Sequence, residues 1–294
     1  MSLNRRAFLK RVWWSGAALA AGTAAYATWV EPTRVQVSRL RVAVRGLPRA
    51  FDGLTIAQLS DLHRSHAVSA AYLNHCMDLT NALEPDLIAL TGDYLTYILD
   101  FRVWLEPAVI NDRKRAPELM RDVAACVGRA RARFGVFACI GNHDRWYDAW
   151  AVAAALRGVG VTVLRDEHAI VRIHGEPLPV VGIDDPWSGW ANMPRAFAGV
   201  DAPFALVLMH RPDFFEHWAR RGSHLLLAGH THGGQVKLPL IGPPVVSRYG
   251  RKYPHGLFRR DDVQMYVNRG LGVTPPAVRL NCPPEISFIR LEAA

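Results

Sequence analysis

Leu54-Thr55-Ile56-Ala57-Gln58-Leu59 carries no charge and runs directly into Ser60-Asp61-Leu62-His63. A run this short and apolar reads as a strand buried on both faces, and the residues that follow it are metal-ligand types. The arrangement recurs. Leu87–Leu90 ends at Thr91-Gly92-Asp93, and Val136–Ile140 ends at Gly141-Asn142-His143-Asp144. Phe204–Met209 ends at His210-Arg211-Pro212, and His224–Ala228 ends at Gly229-His230-Thr231-His232-Gly233-Gly234. In α/β sheets the residues just beyond the carboxyl ends of strands converge on one crevice. Five such endings therefore define a site.

Working outward, further apolar runs lie at Val161–Leu164, Pro179–Ile183, Gln264–Val267 and Ile286–Leu291, and residues 33–45 alternate polar with apolar as a half-exposed strand does. Helix-like segments fall at Ser69–Leu83, Pro117–Arg133, Tyr147–Arg157 and Pro212–Arg221. Strand and helix alternate early, and strands dominate later. That order predicts an α/β protein with two packed sheets flanked by helices. The Gly/Pro-rich stretch Pro239–Pro254 is a loop and holds a basic cluster, Arg248, Arg251 and Lys252, that can meet phosphate or simply be solvated.

The chain has 294 residues, 50% hydrophobic and 21% charged, which excludes a disordered chain and a multi-pass membrane protein. Its formal charge is +9. Four of those charges, Arg5, Arg6, Lys10 and Arg11, precede an uncharged stretch from Val12 to Val30. A basic start followed by an Ala/Gly-rich apolar run has the pattern of an export signal. Asn4-Arg5-Arg6-Ala7-Phe8-Leu9-Lys10 resembles the twin-arginine motif, with Asn4 where Ser or Thr is usual. The resemblance implies recognition by the twin-arginine export machinery and an extracytoplasmic or periplasmic location. Ala25-Tyr26-Ala27 offers a cleavage site, yet residues 12–30 are also just long enough to anchor across a bilayer. Residues 1–30 are read as a signal or anchor and residues 31–294 as one domain with +5 of the charge. Cys76, Cys126, Cys139 and Cys282 show no pairing pattern and read as buried apolar cysteines.

Asp61 and His63 stand two apart, as do His230 and His232, so on a straight strand each pair shares a face and can chelate. Glycines beside the ligand residues let the backbone turn sharply toward an ion.

The ordered set Asp-x-His, Gly-Asp, Gly-Asn-His-Asp, His and Gly-His-x-His resembles the signature of the calcineurin-like metallophosphoesterases. Phe51-Asp52-Gly53-Leu54, Gly233-Gly234-Gln235-Val236 and Asn281-Cys282-Pro283-Pro284-Glu285 extend the likeness to the exported, twin-arginine branch of that family. The resemblance implies a four-layer αββα sandwich, the metallo-dependent phosphatase fold. It implies two metal ions, divalent or trivalent, with Asp61, His63 and His232 on one, Asn142, His210 and His230 on the other, and Asp93 bridging them. An oxygen and nitrogen donor set without thiolate suits Mn, Fe or Zn. Such an ion pair brings a water's pKa toward neutrality, which supplies hydroxide as the nucleophile. His143 is then the general acid for the leaving alcohol, with Asp144 as its possible orienting partner.

Asp93 is followed by Tyr94-Leu95-Thr96-Tyr97, unlike the Gly-Asp-x-Val-Asp-Arg-Gly of protein serine/threonine phosphatases, so that activity is not expected. Arg64, Arg211 and Arg279 are candidates for substrate phosphate, and Trp146, Tyr147, Trp150, Trp187 and Trp190 for the wall of an apolar pocket. The leading expectation is a phosphatase or phosphodiesterase acting on exported, envelope or lipid-linked phosphoesters, with membrane association possible and no obligatory protein partner evident. The alternatives are a metal-dependent nuclease and a catalytically silent, membrane-anchored binding protein of the same fold. All seven ligand positions are filled, which weighs against the silent protein. Much of the basic charge belongs to the signal segment, which weighs against the nuclease.

Overall fold

Alternate side chains along the short apolar strands serve two different cores, and that division builds the layers. The computed structural model describes residues 4–96, 115–185, 191–218, 222–246 and 250–294. One six-stranded sheet runs in the order β1 (Gln36–Val44), β12 (Glu285–Ala293), β2 (Thr55–Leu59), β3 (Leu87–Leu90), β4 (Val136–Ala138) and β5 (Thr162–Val163). The other runs in the order β10 (Gly256–Arg260), β11 (Val263–Val267), β9 (Ser223–Ala228), β8 (Phe204–Leu208), β7 (Glu176–Gly182) and β6 (Glu167–Ile173). Both are mixed. β2 through β5 are parallel in the first and β7, β8, β9 and β11 in the second.

Between the sheets, Ile56, Leu87, Ala89 and Phe137 meet Leu178, Val180, Leu206, Leu208, Leu225 and Leu227. The intervening residues Ala57, Leu59, Ile88 and Leu90 face outward to α2 (Ala70–Asn81), α3 (Ala116–Val127) and α5 (Ala149–Arg157). On the second sheet, Ala205, Val207, Leu226 and Ala228 face a thinner layer built from α6 (Met193–Ala196), Phe215, Trp218 and Tyr253. This is the expected sandwich of two mixed sheets flanked by helices, with one helical layer reduced. Where a helix was expected at 212–221, Pro212–His217 forms a 3-10 helix instead.

The helices begin where local chemistry satisfies their free N–H groups. Ser69 Oγ accepts from Tyr72 N at 3.1 Å, and Asp148 Oδ1 accepts from Trp150 N and Ala151 N at 3.0 Å. The segment expected as one helix from Tyr147 is preceded by a short α4 (Asn142–Tyr147), which opens inside the Gly-Asn-His-Asp motif. β6 and β10 are edge strands whose apolar residues are interrupted or followed by charge, Glu167 and Arg172 in one and Arg259 and Arg260 in the other, so they do not stand out as runs.

α1 (Arg5–Ala25) buries none of its residues. Ser15, Gly16, Gly22 and Thr23 dilute its apolar run, and among the described residues no helix is long and apolar enough to cross a membrane. The helix continues as a π turn, Tyr26–Val30, in which Ala27 is buried. Glu31 beyond it is 3% exposed, and its carboxylate accepts from Asn281 N at 3.0 Å and Cys282 N at 2.5 Å. Ala27 and Glu31 are therefore packed into the domain.

Candidate metal centre

The loops after β2, β3, β4, β8 and β9 meet at one end of the two sheets, because these strands lie side by side in parallel with their carboxyl ends together. Backbone bonds lock the loops to one another. Asp61 N donates to Gly92 O at 2.9 Å, His63 N to Asp93 O at 3.0 Å, and Gly229 N to His210 O at 3.0 Å.

Five of the seven expected ligands, Asp61, His63, Asp93, His230 and His232, have φ between +46° and +72°. Neither pair is chelated from a straight strand, as the spacing had suggested. Each residue instead turns left-handed, a conformation that costs a non-glycine residue on the order of 1 kcal/mol and concentrates at functional sites. The glycines divide by role. Gly92, Gly233 and Gly234 take positive φ, whereas Gly141 and Gly229 do not and are required for close approach. A Cβ on Gly229 would lie 1.9 Å from Ser60 Oγ and 2.3 Å from Asp61 Oδ2.

Two donor groups result. In the first, His63 Nε2 and His232 Nε2 are 3.0 Å apart, and Asp61 Oδ1 lies 3.3 Å from His232 Nε2 and 3.8 Å from His63 Nε2. In the second, Asp93, His210 and His230 bring one ligand atom each within 4.8 Å of the others. Asp93 Oδ2 lies 3.0 Å from His210 Nε2 and 3.7 Å from His63 Nε2, so a single carboxylate oxygen stands between the groups. Asn142 Oδ1 is buried and has no hydrogen-bond partner, which fits an oxygen donor awaiting a cation.

Outer contacts fix which atom each ligand presents. His210 Nδ1 bonds Thr91 O at 2.7 Å and so turns Nε2 to Asp93. Ser60 Oγ donates to Asp61 Oδ2 at 2.6 Å, and His230 N donates to the same carboxylate at 3.0 Å. Thr96 Oγ1 lies 3.2 Å from His63 Nδ1. Sequence reasoning gave Ser60, Thr91 and Thr96 no role in the site, although Ser60 and Thr91 each neighbour a motif residue.

The buried carboxylates and imidazoles shift one another's ionisation. Burial raises the Asp61 carboxyl, but the charges of His232 and His210 outweigh it and hold Asp61 well below the usual carboxylate range. Burial also acts against ionisation of Asp93, and His210 and His143 overcome it. Burial lowers His210, yet Asp93 beside it pushes it up to about 10. His63 and His230 are held low by burial first and then by neighbouring positive charge. Two ionised carboxylates beside imidazoles, of which His63 and His230 are held neutral, form a set of oxygen and nitrogen donors that suits Mn, Fe or Zn.

His143 is 8% exposed and reaches the cavity over the centre, its ring 4.7 Å from that of Trp146. Its Nε2 is 3.9 Å from Asp93 Oδ2, close enough to serve a leaving group held at the centre. Asp144 is corrected. It does not orient His143, because its carboxylate accepts Asp93 N and Tyr94 N at 2.8 Å and Gly141 N at 2.9 Å. It is a positioning residue for the Asp93 turn. Burial and the Asp93 charge push its pKa up to about 7 despite those donors.

The arginines separate as well. Arg64 turns away to α3, with two bonds to Asp122 Oδ2 at 3.0 and 2.8 Å, and Arg279 is fully buried with its guanidinium on backbone carbonyls, so neither can meet a substrate phosphate. Arg211 pairs with Asp185 at 3.0 Å and lies close enough to act on His230. Trp146 lines the cavity. Tyr147 packs on the helical core and Trp150 stacks under Arg165, while Trp187, Trp190, Tyr97 and Arg248 lie outside the described residues. The four cysteines are free and buried, as expected.

The cavity holds about 480 Å³, and beyond the candidate ligands its walls are mainly apolar, with Pro244, Val245, Val246, Pro275, Pro276 and Val278 interrupted by Thr231, Gln235 and Thr274.

Comparison with known proteins agrees with this geometry. Residues 54–234 match the model of the family described as calcineurin-like phosphoesterase. The uncharacterized metallophosphoesterase YkuE of Bacillus subtilis is 31% identical over 99% of this chain and 98% of its own. Phosphodiesterase YaeI of Escherichia coli is 31% identical over 79% of this chain and 80% of its own. UDP-2,3-diacylglucosamine pyrophosphatase LpxG of Chlamydia trachomatis is 24% identical over 90% and 92%. The chain belongs to the calcineurin-like phosphoesterases and is a phosphoric ester hydrolase of that family.

Proposed function

We propose that this chain hydrolyses lipid-linked phosphoesters outside the cytoplasm, after export by the twin-arginine route directed by residues 1–30, with two metal ions held at the Asp93 cluster. The carrying observation is that the candidate ligand cluster opens, through Asp93, Asn142, His230 and His232, into a cavity whose remaining walls are mainly apolar. Asp61, His63 and His232 would hold one ion, Asn142, His210 and His230 the other, and Asp93 Oδ2 the position between them. Bound there, the ions would acidify a water and neutralise charge on phosphoryl oxygens.

The side chains supply the rest. His143 protonates the leaving oxygen, and Trp146 against its ring limits the angles it can take. Arg211, held by Asp185, adds positive charge on the His230 side, where a non-bridging phosphoryl oxygen would sit. Asp144 keeps Asp93 and Gly141 at a fixed separation through the one oxygen that both backbone N–H groups share. The apolar walls accept the lipid portion and exclude water from it. The lipid reading is also supported by the lipid-derived substrate in the name of the chlamydial relative.

The test is turnover by the full chain, loaded with Mn, Fe or Zn, on p-nitrophenyl phosphate, bis(p-nitrophenyl) phosphate and phosphodiesters of rising alkyl length. Metal analysis should give two ions per chain, and kcat/KM should rise with alkyl length. One ion or none, or indifference to alkyl length, would refute the corresponding half of the proposal.

A further inference from the structure

Leu238 and Gly242 exchange backbone hydrogen bonds at 2.9 Å in both directions, which closes Pro239, Leu240 and Ile241 into a tight hairpin tip. Leu240 is 108% exposed and Ile241 75%. Leu240 also has φ +65°. A left-handed leucine is a strained backbone, and here no burial offsets it. A strained and fully solvated apolar tip is unfavourable for a protein standing alone in water, and favourable where something apolar covers it.

Hydrogen bonds fix where the tip stands. Lys237 N donates to Leu280 O at 2.8 Å, and Leu280 N donates to Gln235 O at 2.9 Å, so the outgoing limb is paired with the 280 ribbon. On that ribbon Arg279 N donates to Ala27 O at 2.9 Å, and Glu31 holds Asn281 N and Cys282 N. The turn that exposes Trp29 (74%) and Val30 is thus fastened beside the tip. The return limb is pinned to the catalytic turn, since a Cβ on Gly234 would meet Pro243 Cβ at 2.3 Å. Beyond it Val245, 77% exposed, lines the cavity. Tip, cavity mouth and the Trp29 turn share one side of the molecule.

The charge around them is positive. Arg34 is exposed and bonded to Tyr26, and Lys237 flanks the hairpin. Glu31, the nearest acid in this segment, is buried and committed to two backbone N–H groups. Apolar tips within a basic surround match an anionic bilayer interface, and a second copy of the same face would set like charges against each other.

We infer that the hairpin tip Leu240–Ile241, with Trp29 and Val30, docks on an anionic lipid bilayer and seats the mouth of the catalytic cavity on the lipid. This deepens the proposed action on lipid-linked phosphoesters and rests on that reading for its purpose, but its test requires no catalysis.

All four native cysteines are buried, so a cysteine introduced as Leu240→Cys in the full chain takes an environment-sensitive fluorophore selectively. With phosphatidylglycerol/phosphatidylcholine vesicles its emission should shift to the blue. The same label at Glu176→Cys, at the opposite end of the second sheet, should not respond. Leu240→Ser/Ile241→Ser should weaken vesicle partitioning about ten-fold or more while turnover of soluble bis(p-nitrophenyl) phosphate stays unchanged. Vesicles that pellet the protein without altering the Leu240→Cys label would overturn the inference. So would a blue shift that follows protein concentration without vesicles, which would mark a second copy as the occupant. Failure of turnover or metal loading in the unaltered chain would count against the proposed function and leave the fluorescence result standing.

Discussion

Gly141→Ala isolates the steric demand at the centre of the site. Gly141 has φ −95° and ψ −179°, so alanine meets no backbone penalty there. The added Cβ, however, would lie 2.2 Å from Asp93 Oδ1 and 2.5 Å from Asp93 N. Ordinary contacts need about 3.5 Å, so the two segments must part by about 1 Å. They cannot part freely, because Asp93 N and Gly141 N both donate to Asp144 Oδ2, and His143 N donates to Asp93 Oδ1. Overpacking of this kind costs about 1–3 kcal/mol, which in a domain of this size lowers Tm by about 2–12 °C. A displacement of about 1 Å in the residue between the two donor groups should cost about 100-fold in turnover. The assay is metal content by mass spectrometry, turnover of bis(p-nitrophenyl) phosphate and thermal unfolding. Gly175→Ala is the control: at φ +88° with no atom within 4 Å of the new Cβ, it should lose about 1 kcal/mol of stability and no activity. Gly141→Ala with wild-type metal content and turnover within about threefold would refute the close-approach reasoning.

His143→Ala should keep metal content and lose about 10²–10⁴-fold on esters with poor leaving groups, with a smaller loss on nitrophenyl esters; metal loss would show that the role is misassigned. Arg279→Met strands carbonyls of Arg269, Gly270, Gly272 and Cys282 that its guanidinium now bonds, and should cost about 3 kcal/mol or more in urea unfolding, against under 1 kcal/mol if those bonds are dispensable. His255 is lowered to about 4 by burial and by Lys237 and Arg269. The unfolded chain takes up this proton near pH 6.5 and the folded chain only near pH 4, so stability falls as pH drops through that window. Allowing for partial exposure the loss is about 1–2 kcal/mol, and His255→Gln should flatten it; an unchanged slope between pH 6.5 and 4 would reject the assignment. Chelation of bound metal should lower Tm, with recovery on adding Mn or Zn in proportion to occupancy.

The clustering of the candidate ligands was legible because each residue stands at the end of an apolar strand, and strand ends are easily seen in sequence. β3 occupies the apolar run Leu87–Leu90 residue for residue. How the ligands reach the centre was not legible. A spacing of two suggests a shared strand face, whereas Asp61, His63, His230 and His232 each turn left-handed, which only backbone geometry reveals. Arg64 and Arg279 show the converse difficulty. An arginine beside a motif reads as a phosphate contact until its actual partner, Asp122 or a set of carbonyls, is seen across the fold. The apolar cavity wall was half legible: Pro239–Pro254 stood out by composition, but residues 275–278 gained their role only through the pairing of Leu280 with Gln235 and Lys237.

Five ligand residues in left-handed conformations together carry roughly 5 kcal/mol of backbone strain, comparable to the whole stability of an ordinary domain. That strain is tolerable because the loops holding it are cross-bonded: Asp61 N to Gly92 O, His63 N to Asp93 O, Leu271 N to Ser60 O and Gly272 N to Asp61 O. The last two bonds bring Arg279 into the site's support, since its guanidinium grips the Gly270 and Gly272 carbonyls from behind Asp61 and His63. Gly272 must itself be bare, for a Cβ there would lie 2.4 Å from Leu62 O and 2.7 Å from His63 Cβ. An arginine that cannot touch substrate therefore still sets ligand geometry, through a loop with no ligand of its own. Because Ala27 and Glu31 bond to this same ribbon, the segment joining α1 to the domain bears on the metal centre mechanically.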